Sequence, residues 1–300
     1  MENALTAFSS SLSALIETTA RSAVAIEARH HMGSSGFLWK DDVIVTAAHA
    51  IRRDDEVPVV LPDGSRASAQ IAGRDPDTDI AVLRVPGVSG ASAPARAAAP
   101  LPRTGELVVA VGRHAPGPLA LTGIVSTSAG PWKTWRGGQL DALLRLDLGA
   151  YPRSSGSLVV DTEGRLIGML TTGLTRTAPV AIPAATIARV AAELLERGSI
   201  ARGYIGVSLH PVPLPATYAR ALNRNQRTGV MILAVEPNGP AEKGGILVGD
   251  VIVEINTQPV GDTDDIQIAL RGSVGKELPV VVFRGGQRTE VRVTVGERKA

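Results

Sequence analysis

DVIVTAAHA, residues 42–50, sets four β-branched residues in a row, Val43 to Thr46, and closes on His49. So short and uniformly apolar a run has the composition of a buried strand. The pattern recurs in VAIEA (24–28), VPVVLP (57–62), IAVLRV (80–85), LVVAVG (107–112), ALTGIVS (120–126), ALLRLDL (142–148), SLVVD (157–161), LIGML (166–170) and PVAIP (179–183). Gly, Pro, Asp and Ser separate the runs. Many short strands with regular turn signals predict an all-β barrel or sandwich across residues 22–182.

The flanks change period. Leu5, Phe8, Leu12, Leu15 and Ile16 share one helical face, which predicts a helical segment within residues 1–21. Ile187, Val190, Ala191, Leu194 and Leu195 give a second helix over 184–197, with Pro183 ahead of it and Gly198 as its stop. That helix ends the first domain, 22–200. Residues 201–300 read as a separate α+β module: a strand in YIGVSL, another in GVMILAVE, a short helix after EPNGP and a strand in VIVEIN. A helix follows at 263–271, capped by Asp262 with Asp265 three residues on, before strands at 278–283 and 289–295. The Ala/Pro-rich stretch 91–102 reads as a surface loop.

Composition removes several function classes. With 31 basic against 29 acidic residues, and no basic cluster interleaved with aromatics, nucleic-acid binding is not expected. The chain has no cysteine, so disulfides, thiol nucleophiles and thiolate metal sites are out. His30 and His31 are adjacent and on a strand would face opposite ways; with no HExxH motif, neither a metal site nor a cofactor is expected. The first 27 residues lack a basic leader and never hold 18 apolar residues in a row, so no membrane span is expected. The compartment is then cytoplasmic, or periplasmic if a leader has been removed.

Three residues carry chemistry. His49 ends an apolar run, where an imidazole can be half buried at a strand-to-turn junction. Asp79, entering IAVLRV, is placed for burial and so needs a partner such as an imidazole N–H. Asp75 and Asp77 read as solvated loop acids, because the calcium-loop pattern fails where Ile80 and Pro86 replace its Gly and Glu. Among Ser154, Ser155 and Ser157, the sequence favours Ser155, since Gly156 after it lets backbone N–H groups face a developing oxyanion. Base, orienting acid and hydroxyl nucleophile together can cleave an amide through an acyl intermediate.

Taken together, TAAHA (46–50), DTDIAVLRV (77–85), LTGIVS (121–126) and LDLGAYPRSSGSLVVDTEGRLIGM (146–169) resemble the HtrA/Deg-type branch of the trypsin-like serine proteases. GVMILAVEPNGPAEKGGILVGDVIVEINTQPV (229–260) is similar to that family's PDZ domain. The resemblance implies a mainly β protein, a chymotrypsin-like double β-barrel followed by a small α+β PDZ domain. It implies His49 as general base, Asp79 as orienting acid, Ser155 as nucleophile, and the backbone N–H groups of Arg153 and Ser155 as oxyanion hole. In the PDZ module, Tyr204, Ile205, Gly206 and Val207 would take a terminal carboxylate, with Ile266 and Leu270 lining the groove. The implied function is a serine endopeptidase of unfolded or misfolded proteins, regulated by C-terminal peptides and forming a homotrimer. Gly149 stands where basic-specific relatives carry an acid, so cleavage after Arg or Lys is not expected, and the resemblance implies small or medium aliphatic residues before the scissile bond.

The nucleophile loop departs from the family's Gly-Asn-Ser-Gly-Gly-Pro: Arg153-Ser154-Ser155-Gly156-Ser157-Leu158 lacks two glycines and the proline. Arginine in a left-handed conformation would cost about 1–2 kcal/mol, and the loss of an oxyanion donor would follow if that strain flipped the preceding peptide. The alternative reading is therefore a catalytically impaired scaffold or chaperone that binds C-terminal peptides.

Overall fold

Helix α1 (Ala4–Ala20) starts at Asn3, whose side chain accepts from the Leu5 N–H at 3.0 Å, and it leads into strands β1 (Ala23–Ile26), β2 (Ser34–Lys40), β3 (Val43–Ala47), β4 (Val57–Val60), β5 (Arg66–Asp75) and β6 (Ile80–Arg84). These six close into a barrel in the order β1-β2-β3-β6-β5-β4. The computed structural model describes residues 3–27, 33–51, 56–88, 101–200, 202–222 and 226–298. It divides into two units, Met1–Ile200 and Ala201–Ala300.

A second six-stranded barrel follows, built from β7 (Leu107–His114), β8 (Gly117–Ala129), β11 (Leu143–Asp147), β12 (Leu158–Val160), β13 (Leu166–Thr171) and β14 (Val180–Pro183), closing in the order β11-β14-β13-β12-β7-β8. The hairpin β9 (Trp132–Lys133) and β10 (Gln139–Leu140) interrupts it. Helix α2 (Ala184–Arg197) ends at Gly198 in the left-handed region, φ 74°, as its sequence predicts.

The uninterrupted apolar runs have a packing cause. On β3, Val43, Val45 and Ala47 join a core shared with the second barrel and α2, while Ile44 fills the first barrel with Val24, Leu38 and Leu83. Both faces of the strand are covered, so the usual alternation with polar residues disappears. The same holds for β13, where Met169 joins the shared core and Ile167 and Leu170 fill the second barrel.

In the second unit, β16 (Val207–Pro213), β17 (Thr228–Val235), β18 (Val251–Ile255), β20 (Glu277–Arg284) and β21 (Gln287–Thr294) form one antiparallel sheet in that order, with β19 (Gln258–Pro259) on β18. Strands β15 (Arg202–Tyr204) and β22 (Gly296–Arg298) pair separately. Helices α3 (Ala216–Ala221), α4 (Pro240–Lys243) and α5 (Thr263–Leu270) complete it, and Asp262 and Asp265 cap α5 reciprocally as expected. YIGVSL is not one strand: Ile205 and Gly206 break it between β15 and β16. His30, His31 and residues 91–100 lie outside the described residues.

Candidate active site

Strand pairing brings the histidine and aspartate together. Ala47 at the end of β3 faces Ile80 at the start of β6, so the 3-10 turn Ala48–Ala50 lies beside Asp79. The Ala48 N–H donates to the Asp79 carbonyl at 3.0 Å, and the His49 N–H to Asp79 Oδ1 at 2.9 Å. The ring then meets the same carboxylate, with His49 Nδ1 2.8 Å from Oδ2 and 3.0 Å from Oδ1. The Asp79 side chain is 2% exposed and that of His49 27%, so the acid is enclosed while the ring reaches solvent.

Asp79 takes this pose in the left-handed region, φ 59°. A short polar side chain tolerates that conformation better than most, and its hydrogen bonds hold it there. Thr171, at the end of β13, donates its hydroxyl to Asp79 Oδ2 in a further short contact. Asp75 corrects a sequence expectation: it is 4% exposed, not solvated, and accepts from Thr78 Oγ1 at 2.6 Å, bracing the loop that delivers Asp79.

Ser155 comes from the other barrel. Its carbonyl accepts from the Ser35 N–H at 3.0 Å and Ser34 Oγ at 2.7 Å, both on β2, which pins the serine turn across the junction of the barrels. Gly156 has φ 87°, and a Cβ there would fall 1.8 Å from the Ser35 carbonyl oxygen, so no other residue fits this position. Ser155 is buried, and its Oγ lies 3.0 Å from Thr172 Oγ1 and 3.2 Å from the Thr172 N–H that donates to it.

The competing serines have other roles. Ser154 Oγ donates to the Tyr151 carbonyl at 2.6 Å and accepts from its N–H at 3.1 Å, closing the turn. Ser157 Oγ is buried without a hydrogen-bond partner among the described residues. Arg153 lies in the 3-10 turn Pro152–Ser154 and is not among the non-glycine residues with positive φ, so the strain considered for it is absent. Burial, and secondly the charge of Arg153, push the nearby His114 imidazole below its ordinary range, keeping it neutral at pH 7. Its ring stacks on Tyr151, 6.5 Å between centroids.

Thr171, Thr172 and Gly173 were not singled out from sequence. The available signal was a glycine two residues past the end of the apolar strand β13, since a glycine beside a strand often marks close approach of another group. Among the described residues, no group of three or more His, Asp or Glu side chains could hold a metal ion.

In the second unit, the Ile205 carbonyl accepts from the Ala241 N–H at 2.8 Å and the Gly206 carbonyl from the Glu236 N–H at 2.9 Å. Each N–H in a trans peptide points opposite to the preceding carbonyl. The N–H groups of Gly206 and Val207 therefore turn away from these partners. Gly206, φ 77°, makes the reversal possible. Tyr204 ends β15, opposite Gly296. Ile266 and Leu270, 3% and 4% exposed, sit on α5 in this unit's core.

Paired six-stranded barrels followed by a module of this kind define the chymotrypsin-like fold with a PDZ domain. Residues 34–169 match the trypsin-like peptidase domain and 231–284 the PDZ domain. A probable periplasmic serine endoprotease, DegP-like, of Brucella suis is 31% identical over 282 residues, covering 88% of this chain and 52% of the relative. The DegP-like relative from Halomonas elongata is 29% identical, covering 90% and 57%. The chain thus spans about half the length of these curated relatives. Among solved structures, the HtrA-type protease AlgW with a decapeptide superimposes with TM-score 0.76 at 25% identity, covering 95% of this chain and 98% of that one. The serine endoprotease from Yersinia pestis gives 0.73 at 25%, covering 94% and 98%. The chain belongs to the HtrA/Deg-type trypsin-like serine proteases, with a PDZ domain after its peptidase domain.

Proposed function

We propose that this protein is a serine endopeptidase in which His49 is the general base, Asp79 its orienting acid and Ser155 the nucleophile. The observation that carries the reading is the 2.8 Å contact between His49 Nδ1 and Asp79 Oδ2, with Thr171 donating to the same carboxylate and the adjoining Thr172 bonded to Ser155 Oγ. With Nδ1–H donated to the carboxylate, the Nε2 lone pair is the basic one. Ser155 Oγ attacks the scissile carbonyl as His49 takes its proton, and the imidazolium that forms is stabilised by Asp79. His49 returns the proton to the leaving amine, and water then repeats the attack on the acyl-enzyme. The backbone N–H groups of Arg153 and Ser155 are the oxyanion donors, each worth about 2.7–4 kcal/mol in the transition state.

The assignment divides the chain into a protease domain, 22–200, and a PDZ domain, 201–300. Gly206 and Val207 N–H groups take a terminal carboxylate within the loop Tyr204–Val207, the ligand adds as a strand beside β16, and Ile266 and Leu270 form the groove floor. Substrates are unfolded proteins cut after small or medium aliphatic residues; Gly149 is open, with nothing within 4 Å of a Cβ built there. The relatives' names favour the periplasm, and nothing in them supports the cytoplasm. No described helix is long and apolar enough to cross a membrane. Leu5 and Phe8, 74% and 53% exposed on α1, are the surface for a homotrimer, which light scattering would detect. The impaired-scaffold alternative rested on Arg153 and on the loss of a glycine at Ser157 and the proline at Leu158; it loses the support of strain at Arg153, and the relatives' names favour the endopeptidase.

A fluorophosphonate probe tests the chemistry. It is expected to label Ser155, with Ser155→Ala abolishing both labelling and casein cleavage. Absence of labelling with and without a hydrophobic C-terminal peptide would overturn the reading.

A further inference from the structure

We propose that the hairpin β9–β10 positions Asp79 for catalysis through Thr134, whose hydroxyl grips the turn that presents the acid to His49. The inference rests on the triad reading above and adds a residue outside the triad on which its geometry depends.

Asp79 ends the turn 76–79 that joins β5 to β6, in the left-handed conformation described above. A turn leaves carbonyls that no neighbouring strand takes, and those removed from water need donors from elsewhere. The hairpin donates to two of them. Thr134 Oγ1 donates to the Asp77 carbonyl at 2.8 Å, and Arg136 Nη1 to the Pro76 carbonyl at 3.3 Å. The Thr134 hydroxyl is itself held, accepting from the Gly138 N–H at 3.0 Å. Thr134 is 3% exposed, so deleting its hydroxyl would leave both partners short of a bond that water does not readily replace. The two segments also meet without a gap. A Cβ on Gly138 would lie 2.2 Å from the Asp77 carbonyl oxygen and 2.9 Å from the Thr78 nitrogen.

The arm that makes these contacts is fixed at its base. Leu140, 1% exposed, belongs to the core shared by the two barrels and α2, and Trp132 packs against it. Arg189 on α2 donates to the Gln139 carbonyl at 3.1 Å. Inside the hairpin, the Thr134 N–H donates to the Gly138 carbonyl at 2.8 Å and the Gly137 N–H to the Thr134 carbonyl at 2.9 Å. The turn is therefore held from two sides, by Thr134 on Asp77 and by Asp75 on Thr78. Asp79 follows Thr78 directly and inherits that placement. Its carboxylate works only within hydrogen-bond reach of the His49 ring, so a turn free to drift would misplace the acid. Thr134 makes no hydrogen bond to a triad residue itself, which makes it a positioning residue.

Thr134→Val, made in the full chain, removes the hydroxyl at nearly constant shape. Fluorophosphonate labelling of Ser155 is expected to slow about tenfold or more, and kcat on casein to fall alike, with KM moving less than about twofold. Thr134→Ser should restore both rates to within about threefold. Because Thr134 acts through the Asp79 carboxylate, Thr134→Val placed in an Asp79→Asn background should slow labelling by less than about twofold more. Unchanged labelling of Thr134→Val would deny the grip, and a tenfold loss in both backgrounds would deny a path through Asp79; either result overturns the proposal. Should Thr134→Val lose cooperative unfolding in urea, Arg136→Met decides, since that guanidinium is exposed and its loss leaves the fold intact. Its labelling is expected to slow about threefold with Asp79 present and to stay unchanged in the Asp79→Asn background, and no slowing in the first case would count against the hairpin. If the unaltered protein is not labelled at all, the triad reading itself fails.

Discussion

Gly173 lies against His49 so closely that a Cβ on it would stand 2.6 Å from Nδ1, and 2.9 Å from Asp79 Oδ2. Bare backbone is what lets the loop after β13 wall in the imidazole–carboxylate pair. Gly173→Ala is expected to displace the ring and lower kcat/KM by roughly 10²-fold, the scale of an ångström of misplacement. Thermal unfolding should change little. An unchanged peptidase rate would remove Gly173 from the site.

Asp79 combines a left-handed backbone with an enclosed carboxylate. Asp79→Asn keeps the conformational tolerance but presents an amide to His49 Nδ1, which favours the wrong tautomer. Its peptidase rate is expected to fall by about 10³–10⁴-fold with a near-normal fold. Asp79→Ala should in addition lose about 1–2 kcal/mol of stability in chemical denaturation, from the backbone conformation alone.

Thr172 holds the Ser155 hydroxyl through Oγ1 at 3.0 Å and through its N–H at 3.2 Å. With Ser155 Oγ as its donor, the side-chain bond competes with transfer of that proton to His49. Thr172→Val removes it at nearly constant shape and is expected to speed fluorophosphonate labelling about threefold to tenfold, one net hydrogen bond. Thr172→Ser should label like the unaltered protein, and slower labelling of the valine variant would contradict this view of the contact.

Ser157 buries a hydroxyl without a partner among the described residues. Ser157→Ala deletes an unpaired polar group and leaves the backbone as it is. An increase of about 1 kcal/mol in unfolding free energy is expected, read by urea denaturation, and a loss of that size would mean that the hydroxyl is bonded.

Asp250 in the second unit has a side chain only 1% exposed, paired with Arg284 at 2.8 Å. Burial works against its ionisation, but the Arg284 guanidinium and the Leu247 N–H outweigh it and hold the carboxyl below its usual range. A depressed folded-state pKa gives stability that is full above the unfolded value, about 3.9, and is lost as pH falls further. Unfolding followed from pH 6 to pH 2 should show this loss in the second unit. Arg284→Met should flatten it and cost about 3 kcal/mol or less at pH 7, because the arginine is a third exposed.

Strand content was legible where it was written in β-branched residues, as in β3 and β6. β2 and β5 were not, because SSGFLWK and RASAQIAGRD carry small and polar residues whose places are fixed by neighbours. Ser34 and Ser35 are buried because they hold the Ser155 carbonyl and backbone, a demand that exists only once the second barrel is present. Thr171, Thr172 and Gly173 were missed for the same reason: nothing in LTTGL marks a threonine that will meet an aspartate 92 residues earlier.

The amino-acid order alone determined the strand runs, the helix 184–197 with its glycine stop, the Asp262 cap and the resemblance that singles out His49, Asp79 and Ser155. Those features depend on local propensity and on patterns within a few residues. Only the tertiary structure decided that Asp79, not Arg153, takes the left-handed conformation, and that Asp75 is buried. Each of these depends on which groups the folded chain sets opposite one another, and hydrogen bonding and exclusion of overlap act on that neighbourhood rather than on position along the chain.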